Sequence, residues 1–187
     1  MELFGTYTSP FVRHCRIALI QTDLPYEFIE TDLSAESKAS PTKKIPFLRD
    51  GGLELTDSSS ILKYIREKSG ERFLPDVRDY ELFCLVNTAM DTSLNIFLFE
   101  MMDALKVTES KYLARQQARV ESSLEALEAT PLPSETPFTD GQIRLACFLD
   151  WALYRQRFSL DEHPRLATFL SLAREDSAFA QTTAPEA

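Results

Sequence analysis

Short apolar stretches alternate with helix-like segments over the first 75 residues. In SPFVRHCRIALIQTDL the apolar positions recur mostly at helical spacing, whereas ELFGTY and YEFIET are short, aromatic and partly alternating. IPFLRDGGLEL has two apolar runs around Asp50-Gly51-Gly52, which predicts a tight hairpin. TDSSSILKYIREKSG has a polar start and ends at Gly70, which predicts a capped helix. The predicted order is β-α-β, a polar connection (LSAESKASPTKK), and then β-β-α.

The rest of the chain has a helical pattern without a convincing strand. Long apolar-periodic stretches predict helices over about 79–105 and 108–129, and HPRLATFLSLARE predicts another. In FTDGQIRLACFLDWALYR, Thr139 and Gln142 have the spacing of a capping box, and Phe138 and Ile143 that of its hydrophobic staple. The terminal QTTAPEA is predicted to be poorly ordered.

This element order predicts two domains. A β-α-β unit followed by β-β-α is how a thioredoxin-like domain is built. We therefore predict an α/β thioredoxin-like N-terminal domain over residues 1–75 and an all-α helical C-terminal domain over 80–187. The boundary lies in GERFLPDVRD, near residues 71–79.

Charge and cysteine content exclude several classes of partner. The 187-residue chain has a formal net charge of −9, which argues against nucleic acid or an anionic membrane as a partner. Three widely spaced cysteines and two histidines predict neither a metal site nor a disulfide framework. The chain shows neither a signal peptide nor an apolar run of membrane-spanning length, so we expect a cytoplasmic protein. A small anionic ligand remains compatible with local positive groups, which are Arg13, His14, Lys43, Lys44 and Arg49.

Ser9-Pro10 has two interpretations that use the same geometry. Serine before proline at the start of an apolar-periodic run is an ordinary helix N-cap. A helix start directly after a strand is also an anion site, where a serine hydroxyl can donate to a thiolate. Lowering a thiol pKa by two units needs about 2.7 kcal/mol. A hydrogen bond to a charged group contributes about 1.5–3 kcal/mol, so one hydroxyl at a helix end can supply the activation.

Two further motifs follow in the same half. Pro46, after Ile45, either starts a strand or is a cis proline that presents the Ile45 backbone to an extended peptide ligand. Asp57 is a good N-cap for the helix that begins near Ser58. With the N–H groups of that helix start, the Ser58 hydroxyl could also hold a carboxylate, while Asp57 pairs with an ammonium.

Taken in order, the motifs TSPFVRHCRIAL, KKIPFLRDGGLELTDSSSILKYI and FTDGQIRLACFLDWALYR resemble the glutathione S-transferase family over essentially the whole chain. YTSPFVR and the ending SAFAQTTAPEA resemble particularly a group of small bacterial members. The resemblance implies glutathione as co-substrate, a small hydrophobic electrophile as second substrate, no metal, and a homodimer. It implies catalysis by Ser9, which would activate the glutathione thiol. The glutathione-binding residues that it implies are Ser9, Phe11, Lys44, Ile45, Asp57 and Ser58.

Three positions depart from the family pattern. Asp57 stands where Glu or Gln is commoner, which shortens its reach to the ammonium. Lys43 replaces a usual glycine. Gln142 replaces the acidic residue of the helical capping box, from which we expect an intact fold with some loss of electrostatic support.

Other assignments remain open at this stage. Tyr7 could supply the hydroxyl instead of Ser9, although packing is its expected role, and Cys15 fits the apolar face of its helix better than a catalytic site. Without cysteine at Ser9 or Val12, dithiol exchange has no nucleophile there. The rival functions are a catalytically weak glutathione-binding or scaffold protein and a glutathione-dependent lyase, peroxidase or isomerase. The side chains that could line an electrophile pocket, or else form helix contacts, are Phe97, Phe99, Met101 and Met102.

Overall fold

The computed structural model describes residues 1–31 and 40–185. Residues 32–39, which include the first part of the predicted polar connection (33–44), and the last two residues of the predicted tail lie outside this range. The chain divides into two compact units. One comprises Met1–Pro75 together with the chain from Arg174 onward, and the other comprises Asp76–Ala173.

The first unit contains a four-stranded mixed sheet in the order β2-β1-β3-β4. β1 pairs with β2 in parallel and with β3 antiparallel, and β3 pairs with β4 antiparallel. This arrangement confirms the predicted thioredoxin-like α/β fold of the N-terminal part. Its elements are β1 (Glu2–Gly5), α1 (Pro10–Gln21), β2 (Glu27–Glu30), β3 (Phe47–Asp50), β4 (Leu53–Leu55) and α2 (Ser58–Lys68).

α1 packs closely because β1 ends in a glycine. Leu3 on β1 and Val12, Ala18 and Leu19 on α1 are buried in the core of this unit. A Cβ at Gly5 would lie 2.9 Å from Cγ1 of Val12, which is closer than real Cβ contacts allow. Gly5 thus lets the start of α1, directly after Ser9, approach the end of β1.

The C-terminal segment packs against α1, unlike the sequence-based range of 80–187 for the second domain. α7 (Ser177–Ala180) follows α6 (Pro164–Glu175), and Phe179 contacts the Arg13 guanidinium on α1. The prediction of a poorly ordered QTTAPEA tail is wrong at its start. Thr182 is fully buried, and its hydroxyl donates to the carbonyls of α7.

The second unit consists of packed helices, and it confirms the predicted helical C-terminal region. α3 (Val77–Asp103) contacts α4 (Lys111–Ala129) and α5 (Asp140–Tyr154). α5 is buried along most of its length, and Phe148 and Leu149 are fully inaccessible. Cys15, Cys84 and Cys147 form no disulfide among the described residues.

α3 corrects the expectation that the chain has no apolar run of membrane-spanning length. It is long and apolar enough to cross a membrane by length and composition, with a mean hydropathy of 1.4 over its most apolar part. The core helix of a globular protein passes the same test. Phe83, Val86, Ala89 and Met90 of α3 are buried in the helical unit, so these apolar positions have a packing role.

A carboxylate from α3 supports the start of α5. The predicted capping box is present: Gln142 Oε1 accepts from Thr139 N at 3.0 Å, and Thr139 Oγ1 accepts from Gln142 N at 3.4 Å. Asp79 adds to it, because its carboxylate accepts from the Thr139 hydroxyl and, at 3.3 Å, from the Gly141 N–H. An acidic side chain thus reaches this helix start from α3, while the expected loss of electrostatic support from Gln142 stays a prediction.

The partly buried carboxylate of Asp79 predicts that the stability of the fold depends on pH. Burial raises the pKa of Asp79 above its ordinary value of 3.8, although the hydrogen bonds from Thr139 and Gly141 oppose the change. The folded protein then binds more protons than the unfolded chain between the two pKa values, so this contribution to stability falls as pH rises through that interval. We expect the free energy of unfolding of wild type, relative to Asp79→Asn, to decrease in urea titrations as pH rises through and above 3.8. An increase over this range would contradict the assignment.

Candidate functional site

The register of the sheet brings three of the predicted motifs to one end of it. Phe4 of β1 pairs with Phe47 of β3, so the residues after β1 and those before β3 lie at the same end. Leu55 of β4 pairs with Leu48 of β3, so the residues after β4 also lie there. Ser9 follows β1, Ile45-Pro46 precedes β3, and Asp57-Ser58 follows β4.

Ser9 is the N-cap of α1. Its Oγ accepts from Val12 N at 3.4 Å, Pro10 occupies the first turn, and Arg13 N donates to Ser9 O at 2.9 Å. Because the hydroxyl acts as an acceptor in the capping bond, its own hydrogen remains available for donation to a ligand. Ser9 therefore stands where a helix dipole and a hydroxyl donor act on the same anion.

The Ile45-Pro46 peptide bond is cis, in agreement with the cis-proline interpretation. Pro46 is buried, and the ring of the following Phe47 stacks on Phe4 with centroids 4.3 Å apart. Lys43 adopts a left-handed conformation with φ of 52°. The family glycine at this position thus meets a backbone requirement that lysine satisfies at some cost in strain.

The start of α2 is the third part of the site. Asp57 is its N-cap, and Oδ1 accepts from Ser59 N at 2.8 Å, while the carboxylate is exposed. Ser58, the first helical residue, is only 6% exposed. Cys15 Sγ–H donates to the Ser58 carbonyl at 4.0 Å, which is the outer limit for a sulfur bond. α1 and the start of α2 are thus in direct contact.

Tyr7 and Cys15, the two alternatives to Ser9 as a catalytic residue, both have packing contacts. Tyr7 lies in the turn after β1, and its ring centroid is 4.8 Å from that of Phe28. The Arg16 guanidinium lies over both rings, at 4.7 and 5.1 Å from their centroids. Cys15 is fully buried between α1 and α2, as its apolar helix face predicted.

Only part of the expected local positive charge lies at the surface. Arg13 and His14 are buried, and Arg49 Nε donates to Glu54 Oε2 at 2.9 Å. Lys43 and Lys44 are exposed, directly before Ile45. Across residues 1–31 and 40–185, groups of three or more His, Cys, Asp or Glu with metal-binding geometry are absent.

The residues proposed for an electrophile pocket differ in their environments. Phe97 is half-buried and packs edge-on against Trp151, with centroids 6.1 Å apart. Phe99, Met101 and Met102 are exposed. Phe97 thus contributes to helix packing, which is the alternative role given by the sequence.

Comparison with known proteins assigns the family. Residues 3–73 match the model of the glutathione S-transferase N-terminal domain. Glutathione S-transferase U17 of Arabidopsis thaliana is 30% identical over 81% of this chain and 73% of its own length. The chain belongs to the glutathione S-transferase family. An uncharacterised GST-like protein of Escherichia coli, YibF, is 29% identical over the full length of both chains.

A solved glutathione transferase family member from Pseudomonas fluorescens Pf-5, with bound glutathione, has the same architecture. It is 25% identical, with a TM-score of 0.86 over 99% of both chains. The glutathione S-transferase fold of this chain therefore extends over both units. Family membership also makes its function glutathione S-transferase-like.

Two features of this member of the glutathione S-transferase family were not found from the sequence. Arg13 and Asp79 both act through partners at least 60 residues away, Phe179 and Thr139 respectively. Local motifs carry no signal for such pairs. A charged residue on an otherwise apolar helix face, as Arg13 is, would have been the available indication.

Proposed function

We propose that this protein binds glutathione and transfers its thiolate to a small hydrophobic electrophile. The observation that carries the proposal is the convergence of Ser9, Ile45 and Ser58 at one end of the sheet. A tripeptide has a thiol in its middle, a backbone to pair and an α-amino acid at one end, and these three motifs offer a partner for each.

Ser9 is the proposed catalytic residue. In solution a thiol of pKa about 8.5 is only a few per cent ionised at neutral pH. Donation from the Ser9 hydroxyl contributes about 1.5–3 kcal/mol to the thiolate, and the start of α1 about 0.3–2 kcal/mol. Lowering the thiol pKa from about 8.5 to 7 needs about 2 kcal/mol, which lies within the combined range of these two contributions.

The remaining residues orient the tripeptide in this proposal. The Ile45 backbone pairs with the cysteinyl residue, Lys44 attracts the glycyl carboxylate, and Phe11 lies on the first turn of α1 beside Ser9. The Ser58 hydroxyl and the N–H groups at the start of α2 hold the γ-glutamyl carboxylate. Asp57 pairs with the γ-glutamyl ammonium, and its exposed carboxylate is compatible with that role.

Adjacent serines give a matched test of binding. We expect Ser58→Ala to weaken the glutathione Kd by roughly 10-fold or more, because a buried hydroxyl that bonds a carboxylate is lost. Ser59→Ala, one residue further along α2, should leave Kd within about twofold, since Asp57 bonds its backbone N–H. Calorimetric titration measures both. Wild type that gives no heat with millimolar glutathione would refute the proposal, and equal effects of the two variants would refute the role of Ser58.

The rival functions give different outcomes in the same experiments. Binding without turnover of an electrophile panel would indicate a binding or scaffold protein. Turnover of a hydroperoxide, or of a cis-trans isomerisation or elimination substrate, without conjugation would indicate a peroxidase, isomerase or lyase. We propose conjugation because Ser9 at a helix start suits a thiolate that attacks directly.

We also propose that the protein is a cytoplasmic homodimer, as in the family. Exposed apolar side chains on α3, such as Val77 and Tyr80, support an interface on that helix. Light scattering coupled to gel filtration should give twice the 21.3 kDa chain mass.

A further inference from the structure

We propose that Arg13 is a positioning residue for Ser9, and that the C-terminal clamp, residues 176–182, acts through it. The inference rests on the proposed function, because it concerns how the Ser9 hydroxyl is kept in place for a thiolate. Its starting observation is that the cap of α1 is weak. The Val12 N to Ser9 Oγ distance of 3.4 Å exceeds the usual range for such bonds.

The first turn of α1 is held on its other side by Arg13. The Arg13 side chain is only 5% exposed, and Arg13 N closes the turn on Ser9 O. Nη2 of Arg13 donates to the Phe179 carbonyl at 3.1 Å, and Nε donates to Thr182 Oγ1 at 3.3 Å. The guanidinium also lies 3.7 Å from the centroid of the Phe179 ring. A buried guanidinium is tolerated only with such partners, so these contacts fix the position of the turn.

The clamp is itself well ordered by local hydrogen bonds. Asp176 Oδ1 accepts from Phe179 N at 3.0 Å, which caps α7. The Thr182 hydroxyl donates to the Phe179 carbonyl at 2.9 Å or to that of Ala178 at 3.1 Å, and Thr182 is fully buried. Arg13 is therefore anchored to a segment far along the chain that has its own local hydrogen bonds.

Anchoring by Arg13 leaves the Ser9 hydroxyl available to the ligand. In a short capping bond, the backbone of α1 would fix the orientation of the Ser9 hydroxyl. The first turn of α1 is instead held by Arg13, so it needs little stabilisation from the Ser9 capping bond. Thiolate activation depends on the position of the donor to within about an ångström. Loss of the clamp should therefore change the chemistry at Ser9, in addition to any change in stability.

Neighbouring threonines supply a matched test. Thr182→Val removes the hydroxyl that accepts from Arg13, whereas Thr183→Val removes an exposed hydroxyl that donates to the nearby Ala180 carbonyl. Arg13→Lys keeps the charge but loses the planar fork. We expect Thr182→Val and Arg13→Lys to raise the pKa of bound glutathione by about 0.5–1 unit and to lower kcat/KM at neutral pH about 3–10-fold. Thr183→Val should match wild type.

Thiolate absorbance across a pH series, with the melting temperature alongside, separates the possible outcomes. A lower melting temperature with an unchanged pH profile would show that the clamp is merely structural. Wild-type behaviour of Arg13→Lys would show that the planar guanidinium of Arg13 is not needed. Either result overturns the inference. If Thr182→Val does not fold, Phe179→Leu, which keeps the carbonyl but removes the ring, replaces it with the same expectation. Failure of wild type to bind glutathione would instead refute the proposed function.

Discussion

Ser9→Ala should lower kcat/KM for glutathione conjugation roughly 10- to 100-fold, because it removes a hydrogen bond of about 1.5–3 kcal/mol to a charged thiolate. The pKa of bound glutathione should rise by about one to two units. The affinity for glutathione should change less, since the proposed contacts of Lys44, Ile45 and Ser58 with the tripeptide remain. Steady-state kinetics with a chloronitroarene and thiolate absorbance across a pH series measure these effects.

Two controls separate catalysis at Ser9 from its capping role. The cap bond of 3.4 Å is long, so its loss should cost only about 0.5 kcal/mol of stability, at the low end for an N-cap. Tyr7→Phe removes the other nearby hydroxyl, and because the Tyr7 ring packs on Phe28, activity should stay within about twofold of wild type. If instead Tyr7→Phe is inactive and Ser9→Ala is active, the chemistry belongs to Tyr7.

Gly141→Ala should destabilise the helical unit by about 2–4 kcal/mol. A Cβ at this position would lie 2.6 Å from the backbone oxygen of Asp79 and closer still to Oδ1 of the Asp79 carboxylate, so α3 and α5 must separate. That movement breaks the bonds that Asp79 accepts from Gly141 and from Thr139. On helix propensity alone the change would stabilise by about 1 kcal/mol, so the sign of the effect tests the close approach.

Gly52→Ala is the control for Gly141→Ala. A Cβ at Gly52 meets no heavy atom within 4 Å among the described residues, and this variant should stay within about 0.5 kcal/mol of wild type. Urea unfolding followed by circular dichroism gives both free energies. Gly141→Ala with wild-type or greater stability would contradict the contact between the starts of α3 and α5.

The parts of the fold that depend on neighbouring residues could be predicted from the sequence. α1, the hairpin around Asp50 and the capping box at Thr139 each follow from a local pattern, because capping and turn formation involve residues only a few positions apart. The candidate site was predictable for the same reason. Ser9, Ile45 and Ser58 lie beside strand ends. The order and direction of the strands then place these strand ends at the same end of the sheet.

Long-range polar contacts could not be predicted in this way. Arg13 appeared to be a surface cation available for an anionic ligand, but its partners are 166 and 169 residues away. Gln142 appeared to weaken the α5 cap, but Asp79 reaches the same helix start from 60 residues before Thr139. In both cases the chain brings together side chains whose pairing depends on the packing of whole helices, which local periodicity does not encode.

The most direct test of the central claim is a crystal structure of the protein with bound glutathione. The account predicts the glutathione sulfur within about 3.5 Å of Ser9 Oγ at the start of α1. The γ-glutamyl carboxylate should lie on Ser58, and the cysteinyl backbone should pair with Ile45. A sulfur atom nearer to the Tyr7 hydroxyl, or a tripeptide bound away from this end of the sheet, would contradict the account.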